Sequence, residues 1–489
     1  MHPILDVRPA ASAAPSPADS PTQAPIPAPA PAREATGPAN GTPVETRLKL
    51  SELLGALSYA LDLTEGQPAG HCLRSGWIGQ QVGRALGLRP PQMRDLFYTV
   101  LLKDLGCSST AARISQLYCT DDRAFKYKLR QIDRRALPQA LRLLVGVVGQ
   151  EAPLLQRLRA LGRSLTAGQQ PGREMVQTRC DRGATIARRL RFSDAVASGI
   201  ASLDELWNGR GGPQGLRGEA IPLYGRIASL AQFVETFTAT RGAEAALREV
   251  RRRSGSWFDP ALVAAFVQVA RDPRFWQRLA SPDLETEVFN MDPARELQVV
   301  DEDYLDDVAA AFGAVVDAKS PFTGGHSERV GAIAHAVSLR LGLDAAHARW
   351  VRRAALLHDV GKLGVSNTIL DKPAKLDAVE WRAMQRHAAY TEEVLGRITA
   401  FRVMARVAGA HHERLDGQGY PRGLDSRHIR PETRIITVAD IFDALTADRP
   451  YRGPMPVERA LAIMDADVGT AIDAECLAAL KAALAAGEI

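Results

Sequence analysis

"GGHSERVGAIAHAVSLRLGL" (residues 324–343) and "AGHCLRSGWIGQQVGRALGL" (residues 69–88) are two renderings of one pattern. Each opens on Gly-His, carries apolar residues at three- and four-residue spacing, and closes on Leu-Gly-Leu. That spacing lays the apolar side chains along one helix face, and the closing glycine is a common helix stop. Each stretch is followed by a second matching run, "AALLHDVGK" (354–362) and "TVLLKDLGC" (99–107). The interval from His326 to His358 equals that from His71 to Lys103.

The repetition continues toward the C-terminus of each copy. "LDELWNGRGGPQGLRGEAIPLYGRIASLAQFVETFT" from Leu203 aligns without a gap on "HHERLDGQGYPRGLDSRHIRPETRIITVADIFDALT" from His411. "GSWFDPALV" from Gly255 then pairs with "GTAIDAECL" from Gly469. Three matches in one order define a duplicated domain. We place the first copy at residues 47–275, a connection at 276–300 and the second copy at 301–489. The first copy carries extra residues between Cys107 and Cys180, including the Arg-rich amphipathic run "LPQALRLLVGVVGQEAPLLQRLRAL".

Helical periodicity of the kind seen in "RLKLSELLGALSYALDL" recurs throughout, and alternating β-branched runs are few, so an all-α fold is expected. Residues 1–46 are dominated by Ala and Pro and read as a disordered tail, because they bury too little apolar surface to offset their ordering entropy. Of the 489 residues, 46% are hydrophobic, yet no apolar run reaches the length of a membrane helix. The N-terminus lacks a basic region followed by an apolar core, and the five cysteines form no C-x-x-C pair. A soluble, cytoplasmic protein without membrane insertion is the expectation. The net charge of +5 is spread along the chain rather than gathered in a stripe, which argues against a nucleic-acid polymer as partner.

The second copy holds His326, His358 with Asp359, His387, His411 with His412, and Asp440 in helix-compatible settings near helix ends or loops. Taken singly, His387 would pass for an ordinary buried histidine and Asp440 for an ion-paired helix residue. Taken together, they mix imidazole with carboxylate, which suits Fe, Mn, Zn or Ni better than Mg or Ca. Seven groups exceed the needs of one ion. A carboxylate such as Asp359 has an oxygen for each of two ions, and two ions together activate water and clamp the oxygens of a phosphoryl group.

"AALLHDVGKLGVSNTILDKPAKL", "HHERLDGQGYPRGL" and "RIITVADIFDALTADRPYR" resemble the HD-GYP family of HD phosphohydrolases over about residues 315–475. The resemblance implies a helical HD fold, a di- or trinuclear centre usually of iron or manganese, and hydrolysis of the second messenger cyclic di-GMP to pGpG or GMP. It further implies ligation by His326, His358, Asp359, His387, His411, His412 and Asp440, with His358, Asp359 and Lys362 catalytic. Lys362, Arg449 and Arg452 would contact substrate phosphates, and Asp443, one turn beyond Asp440, would support a ligand or water. Family members with three metals carry an acid four positions before the first histidine. Here that residue is Phe322, so two divalent ions are expected, Fe or Mn first and Zn or Ni next.

Through the repeat, the first copy keeps His71 and Asp104 but sets Lys103 against His358, Cys107 against Lys362, and Cys180 near His387. Leu203 and Asp204 stand for the histidine pair and Gln232 for Asp440. A lysine inside a cation site repels metal, so this copy is expected to be non-catalytic, with a regulatory, dimerising or architectural role. Hydrolysis of another cyclic dinucleotide or nucleotide, and an inactive metal-binding scaffold, remain as alternative functions. The partner set expected is the cyclic dinucleotide, with a homodimer or a signalling protein left open.

Overall fold

The computed structural model describes residues 50–129, 137–149, 170–291, 301–448 and 453–489, with 132, 157 and 162 isolated between them. The expected tail, 1–46, lies outside the described residues. Among those described, secondary structure is helical throughout apart from four isolated bridges, in keeping with the all-α expectation. No described helix is long and apolar enough to cross a membrane.

The helices repeat in order. The first set comprises α1 (Leu50–Glu65), α2 (His71–Ala85), α3 (Pro90–Leu101), a 3-10 turn (Cys107–Thr110), α4 (Ala111–Tyr118), α5 (Asp122–Leu129) and α6 (Leu137–Val147). It continues with α7 (Gln170–Arg189), α8 (Asp194–Ala201), α9 (Leu223–Arg241), α10 (Ala243–Arg252) and α11 (Pro260–Val269). Two short helices, α12 (Pro273–Leu279) and α13 (Leu284–Asn290), follow, and Val288 of α13 packs beside Gly76 of α2. The second set comprises α14 (Glu302–Asp317), α15 (His326–Arg340), α16 (Ala345–Leu357), a 3-10 turn (Val360–Gly364) and α17 (Asn367–Leu370). It ends with α18 (Ala378–Gly396), α19 (Arg402–Ala408), α20 (Pro431–Thr446), α21 (Val457–Ala466) and α22 (Ala474–Ala485). Helices α5 and α6 have no counterpart in the second set, which passes from α17 to α18 by a short loop.

The start of α15 shows how sequence sets the site. Gly325, at φ 70°, takes a left-handed turn that a side chain would strain, and Gly70 does the same at φ 85° before α2. Asp317, at the end of α14, accepts from the Ser327 amide (3.3 Å) and hydroxyl (2.7 Å), so the chain turns sharply and His326 enters at the first helical position. Asp62 accepts from the amides of Gly70 (2.7 Å) and Cys72 (3.0 Å) in the same way. Beneath these turns runs α20, in which every residue from Ile435 to Leu445 is buried. A helix apolar on all sides belongs in a core, and the acids it carries there, Asp440 and Asp443, need partners.

The turn after α16 presses directly on α18. A Cβ on Gly361 would overlap the carbonyl of His387, and one on Gly106 would overlap that of Arg179. Thr391 locks the approach: its hydroxyl donates to the His358 carbonyl (2.9 Å) and accepts from the Gly361 amide (3.0 Å).

The two sets pack reciprocally, α1 against residues 360–364 and α18, and α14 against residues 107–110 and α7. Ion pairs Arg189–Glu328 (3.1 Å) and Arg397–Glu285 (3.4 Å), with Tyr59 donating to Glu393 (2.8 Å), edge this contact.

Gly361→Ala is expected to destabilise the protein by about 3 kcal/mol, since backbone must shift to admit the methyl. Gly172→Ala, where nothing lies within 4 Å, serves as the neutral control. Urea midpoints for the pair check this, and equal midpoints would contradict the close approach.

Candidate metal centre

Histidines 358, 387 and 411 share one local device. Each lies 2.6 Å through Nδ1 from the carbonyl three residues earlier, those of Ala355, Met384 and Ala408. A carbonyl only accepts, so each Nδ1 carries the proton and each Nε2 points its remaining valence inward. His326 instead sets Nδ1 2.7 Å from a carboxylate oxygen of Asp443, which also accepts from Arg329 Nε at 2.5 Å. Such outer hydrogen bonds fix the ring and raise its basicity as a ligand.

The inward nitrogens converge on the two oxygens of Asp359. Oδ2 lies 3.4 Å from His326 Nε2 and 3.3 Å from His358 Nε2. Oδ1 lies 3.6 Å from His387 Nε2 and 3.7 Å from His411 Nε2. Asp440 joins the first group, its Oδ1 3.5 Å from His326 Nε2 and 3.7 Å from His358 Nε2. His412 joins the second, its ring centroid 4.0 Å from that of His411 and 5.0 Å from that of His387. Two donor groups therefore sit side by side with Asp359 between them, and His326, His358 and Asp440, like His387, His411 and His412, form a cluster that could hold a metal ion.

The donor chemistry fits cations. His326 Nε2, His358 Nε2, Asp359 Oδ1 and His412 Nδ1 are buried without a hydrogen-bond partner. His387 Nε2 and His411 Nε2 face each other at 3.4 Å, and with both Nδ1 atoms protonated this is lone pair against lone pair. Burial pushes His387 down to about 4 and His411 to about 3, and holds His412 well below the usual imidazole range, so the second group consists of neutral imidazoles. In the first group, burial of His358 opposes its charge, but Asp359 and Asp440 override this and raise it to about 10. Burial likewise opposes ionisation of both acids. His358 and Lys362 hold Asp359 well below the usual carboxylate range, and His358 and His326 do so for Asp440. A proton on His358 is the smallest cation these carboxylates accept, and a divalent ion answers the same need with more charge.

Lys362 places its ammonium against Asp359, at the edge of both groups. Arg449 and Arg452 lie outside the described residues. The loop after His412 folds back on its own start. Glu413 accepts from the amides of Arg422 (2.7 Å) and Leu424 (2.8 Å), and a Cβ on Gly419 would strike residues 412–414. This closure sets the Tyr420 ring 4.7 Å from His412, with Trp381 edge-on at 5.9 Å. Phe322, four residues before His326, is in a turn where its amide donates to Ser320 Oγ (3.2 Å).

Sequence reasoning passed over Arg329 and Thr391. Arg329 had a visible signal, because it recurs as Arg74 alongside an acid, Asp443 or Glu235, in both copies. Thr391 had none, since its counterpart is Gly183.

The first copy rebuilds this cavity with its own cations. His71 Nδ1 pairs with Glu235, which also accepts from Arg74 Nε at 2.7 Å, reproducing His326, Asp443 and Arg329. Burial opposes ionisation of Glu235, yet His71 and Arg74 bring it to about 2. In place of an ion stands Lys103, whose Nζ lies 3.1 Å from His71 Nε2, 3.6 Å from Cys72 Sγ and against Asp104. The alignment puts Cys180 near His387. The structure places Arg179 there instead, paired with Asp204, because it is the Arg179 carbonyl that meets Gly106. Glu65, Asp104 and Cys107 also cluster, but Lys126 lies 3.4 Å from Glu65 and Lys103 answers Asp104.

The HD domain family model matches residues 164–262 and 312–476. A 3'3'-cGAMP-specific phosphodiesterase 3 from Vibrio cholerae is 52% identical over 435 residues, which is 89% of this chain and 94% of the relative. A cyclic di-GMP phosphodiesterase from Thermotoga maritima is 37% identical over 161 residues, 32% of this chain and 44% of the relative. Among solved structures, a cyclic GMP-AMP specific phosphodiesterase of V. cholerae superposes with a TM-score of 0.61 at 47% identity, covering 89% of this chain and 97% of that one.

After equilibration with Mn2+ and gel filtration, elemental analysis is expected to find about two ions per chain, about one in His326→Ala and close to none in Asp359→Ala. Full retention of both ions by Asp359→Ala would remove that residue from between the two groups.

Proposed function

We propose, on the premise that this chain belongs to the HD domain family in its HD-GYP branch, that it is a metal-dependent phosphodiesterase that opens 3'3'-cyclic GMP-AMP to the linear dinucleotide. The observation that carries the reaction class is the Asp359 carboxylate, which offers one oxygen to each of two donor groups. The substrate rests on likeness: the relative spanning nearly this whole chain is named for the GMP-AMP hybrid. The relative from T. maritima, named for cyclic di-GMP, matches only about a third of the chain. Cyclic di-GMP, expected first from the motifs, is the second reading.

In this proposal His326, His358, Asp440 and Asp359 would hold one ion. His387, His411 and His412, again with Asp359, would hold the other. When bound, such a pair supplies Lewis acidity to phosphoryl oxygens and lowers the pKa of water at neutral pH. The protein's own part is orientation and charge. Asp443, held by Arg329, fixes the His326 ring, and three backbone carbonyls fix those of His358, His387 and His411. Lys362 turns from Asp359 to a phosphate oxygen as substrate arrives, a point charge placed where negative charge grows. Arg449 and Arg452, outside the described residues, add to it. Water adds across one phosphodiester, and the ring opens.

Purified protein loaded with Mn2+ is expected to show kcat/KM for 3'3'-cyclic GMP-AMP at least about tenfold above that for cyclic di-GMP. Equal or reversed preference favours the second reading. His358→Ala with Asp359→Ala is expected to lower kcat by roughly three orders of magnitude on either substrate, and undiminished turnover would sink the mechanism.

A further inference from the structure

Helix α5 belongs to the insertion that the second copy lacks, yet it reaches across to the turn that follows Asp359. Arg123 donates through Nη1 to the Gly364 carbonyl (2.7 Å) and through Nε to the Leu63 carbonyl (2.9 Å), tying that turn to the end of α1. Asp122, fully buried, accepts from the Asn367 amide at 3.0 Å. Lys319, also fully buried, donates to the Leu363 carbonyl at 2.9 Å. Asn367 closes the group by donating to the Lys319 carbonyl (2.8 Å) and to Asp371 (2.7 Å).

These bonds satisfy, in order, the carbonyls of residues 363 and 364 and the amide of residue 367. They are the groups left open where a 3-10 turn ends and the next helix begins. The same face of α5 serves its own copy, where Lys126 donates to the Cys107 carbonyl at 2.9 Å. Helix α5 thus sits between the two equivalent turns and grips both. The charges are balanced only in combination. Burial lowers Lys319 to about 8, while Asp122 supports its charge and Lys126 and Arg123 oppose it. Such a buried set holds one geometry because losing a single member strands the others.

We propose that Arg123 and Asp122 of the first copy are positioning residues for the catalytic turn of the second, holding residues 360–367 so that Lys362 stands correctly against Asp359. The first copy then contributes to turnover without touching substrate or metal, and the insertion is the part that does it. The proposal rests on the reading of Asp359 and Lys362 given above.

The test uses the full chain with Arg123→Met and Arg123→Lys, a partly exposed site where substitution leaves the core intact. Arg123→Met is expected to lower kcat roughly tenfold with KM within about twofold and Mn2+ content staying at the wild-type value. Arg123→Lys, which keeps a donor, is expected to recover most of that loss. Hydrogen–deuterium exchange read by mass spectrometry should show faster exchange in Arg123→Met confined to peptides spanning 360–370. Unchanged exchange there overturns the brace, as does a rate loss fully matched by lost metal. If the wild-type protein cleaves no cyclic dinucleotide, the functional reading fails, and the exchange arm still decides the brace.

Discussion

Buried nitrogen and oxygen donors that converge without hydrogens between them demand a cation. The buried polar groups around Asp359 in the second copy are arranged about that convergence. Three carbonyls take the outward protons of His358, His387 and His411 and turn their other nitrogens inward, and Asp359 sets an oxygen toward each pair. Unpaired, such charges cost several kcal/mol each. The first copy meets the same demand from within the chain: Lys103 puts an ammonium beside His71 and Asp104, and Arg179 puts a guanidinium on Asp204. One cavity, inherited twice, is lined in one copy by donors that could hold metal ions and filled in the other by tethered side-chain cations.

The apolar frame around both cavities is shared. Gly361 and Gly106 admit the backbone of the long helix behind them, and Gly419 and Gly211 let the following loop return on itself. Glu413 and its counterpart Glu205 each take two amides of that loop. Arg434 with Asp473 and Arg226 with Asp259 tie the last helix of each copy to its central one. Chemistry changed at the inward tips of side chains while backbone approaches stayed fixed. Tip changes cost only local charge balance, whereas a displaced backbone is felt through the whole core.

Much of this could be read from sequence because it is local or repeated. Helical periodicity gave the fold class, and the gapless alignment from Leu203 and His411 gave the loop, its glycines and the central helix. The order of histidines and acids marked out the donor set. What stayed hidden needed three dimensions. Which Asp359 oxygen faces which histidines has no sequence signature. Arg179 was masked by the insertion, which breaks the register between Cys107 and α7, so that the neighbouring Cys180 drew attention. The grip of α5 on Gly364 and Asn367 joins residues 241 and 245 positions apart, and neither Arg123 nor Asp122 belongs to a motif.

A side chain has no dissociation constant. Lys103 cannot be chelated, exchanged for a competing metal or lost when supply falls, so the first copy's core carries its cation with the chain. In the function proposed above, the second copy's core, bounded by equivalent glycines and an equivalent buried helix, is subject to mass action. On that reading duplication has separated permanence from exchange within one body.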